Sequence, residues 1–296
     1  MPFTFFGCPC ISDLLLHVII KIHRLNPAKA SATMSSASPS FYSMGSNTYR
    51  VPTDLFESNR SRVMEQLQTA EPHADCFVYM VGGRERMRYD SDHEPIFRQE
   101  SYFWYLTGVK EPDCQLIMDI SQKKTILLIP QLPESYATIM GEIKTPAQWK
   151  AHYCVDEVRF TSEADMLLQE CLERRTTSTN KLLLMKGVNS DSGSMYLPPK
   201  LHPSLQEFHV DDETLFPILA ESRVVKSSQE LALIQHVTEV TSFAHAYVMR
   251  NMKPGMMEYQ GESLFRHYCY FNYGCRLTGY TPICGCGPNA AVLHYG

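Results

Sequence analysis

Four short runs of aliphatic and β-branched residues recur through the chain, each bounded by turn residues or by a stretch with helical spacing. "DCFVYMV" (75–81) stops at Gly82 and Gly83. "CQLIMDI" (114–120) and "TILLIP" (125–130) are joined by the polar "SQKK", and "KLLLMKG" (181–187) comes later. Between them lie helical patterns. Thr53 is placed to cap a helix running to about Ala70, with Phe56, Val63 and Leu67 on one face. Thr145 before Pro146 starts a helix through Tyr153, and Ser162 with Asp165 opens another. Strands alternating with helices predict an α/β domain, expected over 50–212.

A different pattern begins at about 213. A serine cap at Ser227 or Ser228 opens a long helix whose main stripe is Leu231, Ile234, Val237, Thr241, Ala244 and Val248. Leu233, Val240 and Tyr247 widen that stripe, so the helix is expected to be covered on much of its circumference. "KPG" (253–255) breaks it. A second helix carries Glu258 and Glu262 one turn apart, with Leu264, Phe265 and Tyr268 on the apolar side, and ends at Gly274. The remaining "CRLTGYTPICGCGPNAAVLHYG" reads as a β-rich segment with a Gly-Pro-Asn turn at 287–289. Two helices and an incipient sheet are how an α+β domain starts, here over 213–296.

Composition narrows the functional classes. At 44% hydrophobic and 20% charged, the 296 residues suit a globular protein. A net charge of −5 with scattered Lys and Arg points away from nucleic acid and from an anionic membrane surface. Ten cysteines, several inside apolar runs, fit a reducing, cytoplasmic setting better than a disulfide framework. The pairs Cys8/Cys10 and Cys284/Cys286 have C-x-C spacing, but a structural zinc site needs two such knuckles, so they read as structural. His267 and Cys269 fall on different helix faces and make no zinc site. The acids at 211–213 precede a helix, where its dipole favours them. Arg98, Glu100 and Glu111 read as solvated or structural charges.

Residues 1–49 are expected to be an extension or disordered segment. "FTFFGCPCISDLLLHVII" carries Asp13 and His17 and lacks a basic flank, which argues against a membrane anchor. Met34 sits in a Ser- and Ala-rich stretch, so a start at Met34 and a start at Met1 both remain open.

Four motifs in order, "FRQESYFWYLTGVKEPDCQLIMDI", "ESRVVKSSQEL", "EYQGESLFRHYCY" and "GYTPICGCGPNAAVLHYG", resemble the Xaa-Pro dipeptidases (prolidases). The wider group includes aminopeptidase P, creatinase and methionine aminopeptidase, and the likeness runs from about Ser40 to Gly296. It implies an α/β N-terminal domain of the creatinase/aminopeptidase P type, followed by an incomplete α+β pita-bread catalytic domain. It also implies a homodimer, an Xaa-Pro dipeptide substrate and two manganese ions that activate a water. By the same resemblance His294 contacts substrate near the metals, Tyr280 lines that site and Ile283 is an apolar wall. Backbone-bonded or core roles stay open for Tyr280 and Ile283. Trp104 or Tyr105 would be the aromatic that reaches across the dimer toward the partner's site.

The ligands of such a metal pair in the family are two Asp, one His and two Glu, all beyond the His-Tyr-Gly motif. No Asp follows Asp212 here, and no acid of either kind follows Glu262. Glu221, Glu230, Glu239, Glu258 and Glu262 all lie on or beside helices. The expectation is therefore a chain that stops before the metal-bearing half of its catalytic domain, binds no metal of its own and does not hydrolyse peptides alone. The alternative is a non-catalytic pseudo-peptidase module for protein binding or dimerisation.

Overall fold

Six of the chain's strands form one mixed sheet, and its make-up follows from which residues can be buried on both sides. The computed structural model describes residues 40–72, 75–174, 180–205 and 209–296, which fall into two units divided between Val237 and Thr238. The apolar N-terminal stretch read as no membrane anchor, and the pair Cys8/Cys10, lie outside the described residues. Among the described residues no helix is long and apolar enough to cross a membrane.

The first unit opens with a two-residue ribbon, β1 (Phe41–Tyr42) against β2 (Val51–Pro52), and helix α1 (Asp54–Ala70). It continues through β3 (Asp75–Val81), α2 (Ser101–Thr107), β4 (Gln115–Asp119), β5 (Lys124–Ile129), a short α3 (Ala137–Met140) and α4 (Pro146–Tyr153). Then come β6 (Glu157–Phe160), α5 (Ala164–Glu173), β7 (Asn180–Leu184), a ribbon of β8 (Gly187–Val188) and β9 (Met195–Tyr196), β10 (His209–Asp211) and α6 (Leu215–Ser222). The sheet order is β10-β7-β3-β4-β5-β6. β4 runs antiparallel to both β3 and β5, and the other pairings are parallel.

Each of the four apolar runs has become a strand because both faces of the sheet are covered. Side chains alternate faces along a strand. Cys76, Val78 and Met80 of β3, Leu116 and Met118 of β4, and Leu127 and Ile129 of β5 enter one core, packed with α1, α2, α4 and α6. Phe77 and Tyr79, Ile117, and Ile126 and Leu128 enter the opposite core, closed by α5 and Leu205. A strand buried on both faces reads as a continuous apolar run, which is why these segments were legible.

Helix starts divide into those that local chemistry settles and those that tertiary contacts override. Thr145 forms the expected capping box: Gln148 N–H donates to its Oγ1 at 3.3 Å, and Gln148 Oε1 accepts from Thr145 N–H at 2.7 Å. Thr53 stands before α1 but does not cap it. Its backbone is already helical, and its hydroxyl donates to the Ser40 carbonyl at 3.1 Å, so the chain beside β1 has claimed the group. Residues 40–49, placed by sequence in the extension segment, are thus folded onto this unit. Tyr42 stacks near Phe56 and Tyr153. Ser162 is not a cap either: 161–163 form a 3-10 turn, and Glu163 Oε1 accepts from Phe160 N–H instead.

Two long helices complete the regular structure: α7 (Ser228–Asn251), which runs across the division between the units, and α8 (Glu258–Tyr273). Ser227 and Glu230 close a reciprocal cap at the start of α7, with Glu230 N–H donating to Ser227 Oγ and Ser227 N–H to Glu230 Oε2. In the second unit Val240 and Ala244 of α7 pack with Cys269 of α8, flanked by Phe265, Tyr268 and Tyr273. The expected wide covered stripe of α7 is not formed. Leu231 is 56% exposed and Ile234 and Val237 are each 47% exposed, and the buried residues of α7 are Val240 and Ala244. Gly274 ends α8 as expected, in the left-handed conformation (φ 71°) and donating to the Tyr270 carbonyl.

Candidate functional site

Beyond Gly274 the chain departs from the sequence reading. No strand forms among residues 275–296, and the only regular element there is a 3-10 turn at Gly287–Ala291. A β-rich composition makes a strand only where another strand accepts its hydrogen bonds, and the second unit contains no other strand among its described residues. The segment is instead folded back on itself. A Cβ at Gly285 would lie 2.8 Å from the backbone nitrogen of Ala290, so the close approach of 285 to 290 admits only glycine.

Tyr280, Ile283 and His294 all lie on this segment and all present their side chains outward. Tyr280 is 83% exposed, Ile283 is half-exposed and His294 is exposed. None of the three is buried among the described residues. Val292 and Leu293, next to His294, are exposed as well.

The best-determined feature of this surface was not singled out by sequence. Glu258, the first residue of α8, accepts from the Cys286 N–H at 2.7 Å and from Asn289 Nδ2 at 3.0 Å, both at Oε1. Its Oε2 accepts from the Tyr295 hydroxyl at 2.7 Å, and Asn289 Nδ2 also lies 3.0 Å from that hydroxyl. These donors hold the Glu258 carboxyl below the ordinary carboxylate range, with Asn289 the largest influence, then Tyr295 and the Cys286 N–H. The same bond raises the Tyr295 phenol. The only advance signal was an acid at a helix start after "KPG", and nothing in it pointed 37 residues ahead.

Burial raises the Cys284 thiol, with Glu262 and Glu258 adding to the effect, whereas Cys286 is exposed. Cys269 is buried and His267 is exposed and stacked on Phe271, so the two do sit on different faces of α8. Among the described residues no group of three or more His, Cys, Asp or Glu side chains is placed to hold a metal ion.

In the first unit Trp104 and Tyr105 occupy consecutive positions on α2 and point to opposite sides. Trp104 is 40% exposed and meets Phe56 edge-on at 5.6 Å. Tyr105 is buried and its hydroxyl donates to the Ser222 carbonyl at 3.0 Å. Glu100 caps α2, accepting from the N–H groups of Tyr102 and Phe103. Glu111 accepts from the Tyr153 hydroxyl and pairs with Lys144, and both acids are structural, as expected. Asp211 accepts from Glu213 N–H, Thr214 N–H and Thr214 Oγ1, which accounts for the acidic run at 211–213 without a metal.

Comparison with known proteins finds matches to both parts of the chain. Residues 56–179 match the family model for the aminopeptidase P N-terminal domain, and residues 232–296 match the model for metallopeptidase family M24. The chain is 41% identical over 259 residues to the Xaa-Pro dipeptidase of Pongo abelii, covering 87% of this chain and 51% of that protein. It is 42% identical over 263 residues to the Xaa-Pro dipeptidase of Mus musculus, covering 88% and 52%. Among solved structures, the low-pH form of Escherichia coli aminopeptidase P superposes with a TM-score of 0.65 at 24% identity, over 82% of this chain and 55% of that one. The chain spans about half the length of the relatives it matches.

Membership of a metallopeptidase family implies a metal cofactor, and the described residues do not fit one. Of the acids in the second unit, Glu258 is saturated by three donors and Glu262 pairs with Arg266 at 3.1 Å, while Glu239 lies on α7 away from the 275–296 segment in sequence. A hard divalent ion needs several oxygen donors converging on one point, and the described residues present no such set. The fold, the two matched domains and the identity across most of its length nevertheless agree: the chain belongs to the metallopeptidase family that joins an aminopeptidase P-type N-terminal domain to an M24 domain, the family of the Xaa-Pro dipeptidases.

Proposed function

We propose that these 296 residues carry the N-terminal domain and the substrate-facing segment of an Xaa-Pro dipeptidase, a cytoplasmic homodimer that removes C-terminal proline from dipeptides with two manganese ions. The observation that carries this reading is the identity of 40–42% to mammalian Xaa-Pro dipeptidases, sustained across 87–88% of this chain. In this reading His294 and Tyr280 meet the dipeptide, Ile283 offers it an apolar wall, and Trp104 is the aromatic offered to the dimer partner. Trp104 suits that role better than Tyr105, since its ring is accessible and the Tyr105 hydroxyl is already bonded within its own unit.

The same reading assigns no hydrolysis to the 296 residues by themselves, because 213–296 has no Asp and its glutamates form no converging set of oxygen donors among the described residues. Two assays test it. The purified chain, incubated with Mn2+ and Gly-Pro, is expected to release no proline above a protein-free control, and robust turnover would overturn the assignment. A chimera continued by the remaining portion of the Mus musculus relative is expected to hydrolyse Gly-Pro and to lose most of that activity on His294→Ala. An inactive but well-folded, metal-loaded chimera would count against the peptidase reading itself.

A further inference from the structure

The turn bearing His294 is hydrogen-bonded to the start of α8 through one carboxylate, that of Glu258. Three donors, separated from Glu258 by 28, 31 and 37 positions, converge on its two oxygens: the Cys286 N–H, Asn289 Nδ2 and the Tyr295 hydroxyl. The other backbone bonds of 285–296 are local, Asn289 N–H to the Cys286 carbonyl and Val292 N–H to the Asn289 carbonyl, while those of Cys275 N–H to the Cys269 carbonyl and Arg276 N–H to the Gly274 carbonyl hold only the start of the segment at the end of α8. Packing at Cys284 lies against Gly261 of α8, whereas Val292, Leu293 and His294 beyond the turn are exposed. These local bonds shape the turn but cannot fix where it stands on the helix.

Chemistry makes Glu258 suited to that task. Hydrogen bonds to an ionised acceptor are stronger than neutral ones, and an acid at a helix start is further favoured by the macrodipole. Other groups facing this carboxylate are Cys284 and, one turn along α8, Glu262, which is paired with Arg266. Neither supplies a cation that could replace the three donors.

We infer that Glu258 is a positioning residue: it holds Tyr295 and the 286–289 turn, and through them sets the placement of His294 on the substrate-facing surface. The substrate-facing part of this statement rests on the function proposed above, whereas the tie itself does not. The residue acts through its hold on the segment and touches no substrate.

Amide exchange on the 296-residue chain, with NMR of the His294 ring, tests the inference. In Glu258→Ala the Cys286 and Asn289 amides are expected to exchange about ten-fold faster, and the His294 resonances to move to free-histidine positions. Amides of β4 and β5 should be unchanged, which certifies the fold. Glu258→Gln keeps the length but not the charge. Its loop exchange should follow the intrinsic pH dependence of any amide, whereas the wild-type loop should loosen additionally as pH falls through the lowered Glu258 value. Tyr295→Phe, which removes one hydroxyl and no charge, should give an intermediate acceleration and decides the matter if Glu258→Ala does not fold. Cys286 exchange within about two-fold of wild type in Glu258→Ala, or in Tyr295→Phe where the alanine variant fails, would overturn the inference, as would identical pH profiles for wild type and Glu258→Gln. Peptidase activity of the unextended chain would sink the proposed function and leave these exchange rates untouched, so the two failures are distinguishable.

Discussion

Arg60 reaches from α1 to the carbonyl of Cys154, its Nη2 standing 2.8 Å from that oxygen while Nη1 stands 2.9 Å from the carbonyl of Leu106. Cys154 ends α4 in the left-handed conformation (φ 50°), and Leu106 lies in the last turn of α2. One guanidinium therefore satisfies the ends of two helices that have no sequence relationship to each other. The Arg60 side chain is buried, and burial lowers its pKa, yet guanidinium remains charged at any pH at which the protein is folded.

That geometry predicts the response to substitution. Arg60→Met keeps the apolar stem but strands the buried Leu106 carbonyl and the part-buried Cys154 carbonyl, so a loss of about 1–3 kcal/mol is expected. Arg60→Lys keeps the charge but cannot fork to both oxygens, and should fall between wild type and Arg60→Met. Urea unfolding midpoints measure this. A Met variant as stable as wild type would show that the two helix ends find other donors.

Core substitutions should separate the sheet from the periphery. Leu116 on β4 is fully buried beside Met118 in the core packed with α1 and α2. Leu116→Ala should cost about 2–5 kcal/mol by lost transfer energy and a residual cavity. Ile139 on α3 is 77% exposed, and Ile139→Ala should change stability by less than about 0.5 kcal/mol. Thermal and urea midpoints of the two variants check the contrast, and similar shifts would contradict the assigned burial.

Leu116 and its neighbours were legible in the sequence because burial on both faces of a sheet writes itself as an unbroken apolar run. Thr145, Pro146 and Gly274 were legible because caps act within four residues of where they stand. Thr53 failed as a cap because Ser40, thirteen residues earlier, took its hydroxyl. The segment 275–296 failed as a strand for the same kind of reason, since strand formation depends on a partner edge that local composition does not encode. Of the site, His294, Tyr280 and Ile283 came from resemblance alone. Glu258 was invisible as a tie because its partners lie 28 to 37 residues on, and pairing at that range leaves no periodic trace.

Acid should loosen the outer edge of the sheet before its centre. Lys124 on β5 holds Glu157 on β6 at 2.5 Å, and Arg159 also bonds that carboxylate. Its carboxyl therefore sits below its ordinary value of 4.5, owing foremost to the Lys124 hydrogen bond, with Arg159 adding to it. For a carboxyl depressed on folding, the stabilisation is complete above the unfolded value and fades as pH falls through the lower folded one. Both partners are partly solvated, so the effect should stay below about 1 kcal/mol and shrink in salt. Exchange of the β6 amides, followed downward from about pH 6 and corrected for intrinsic rates, should rise before that of β4. Glu157→Gln should remove the difference, and a retained difference in that variant would assign it elsewhere.

Trp104 and Tyr105 allow the proposed dimer to be tested without confusing association with folding. Trp104 leans on Phe56 with much of its ring open, so Trp104→Ala should cost only about 1 kcal/mol of stability. Exposed tryptophans at interfaces carry disproportionate binding energy, and the same change should weaken self-association by about ten-fold or more. Tyr105→Phe does the reverse. It deletes the bond to the Ser222 carbonyl that ties α2 to the end of α6, costing about 1–2 kcal/mol, and leaves the outer face of α2 intact. Sedimentation velocity across a concentration series, paired with urea unfolding, reads both quantities on each variant. A dimer unaffected by Trp104→Ala and dissociated by Tyr105→Phe would move the contact to the buried side of α2, and a wild-type chain that is monomeric at all concentrations would remove the aromatic's proposed role in these 296 residues.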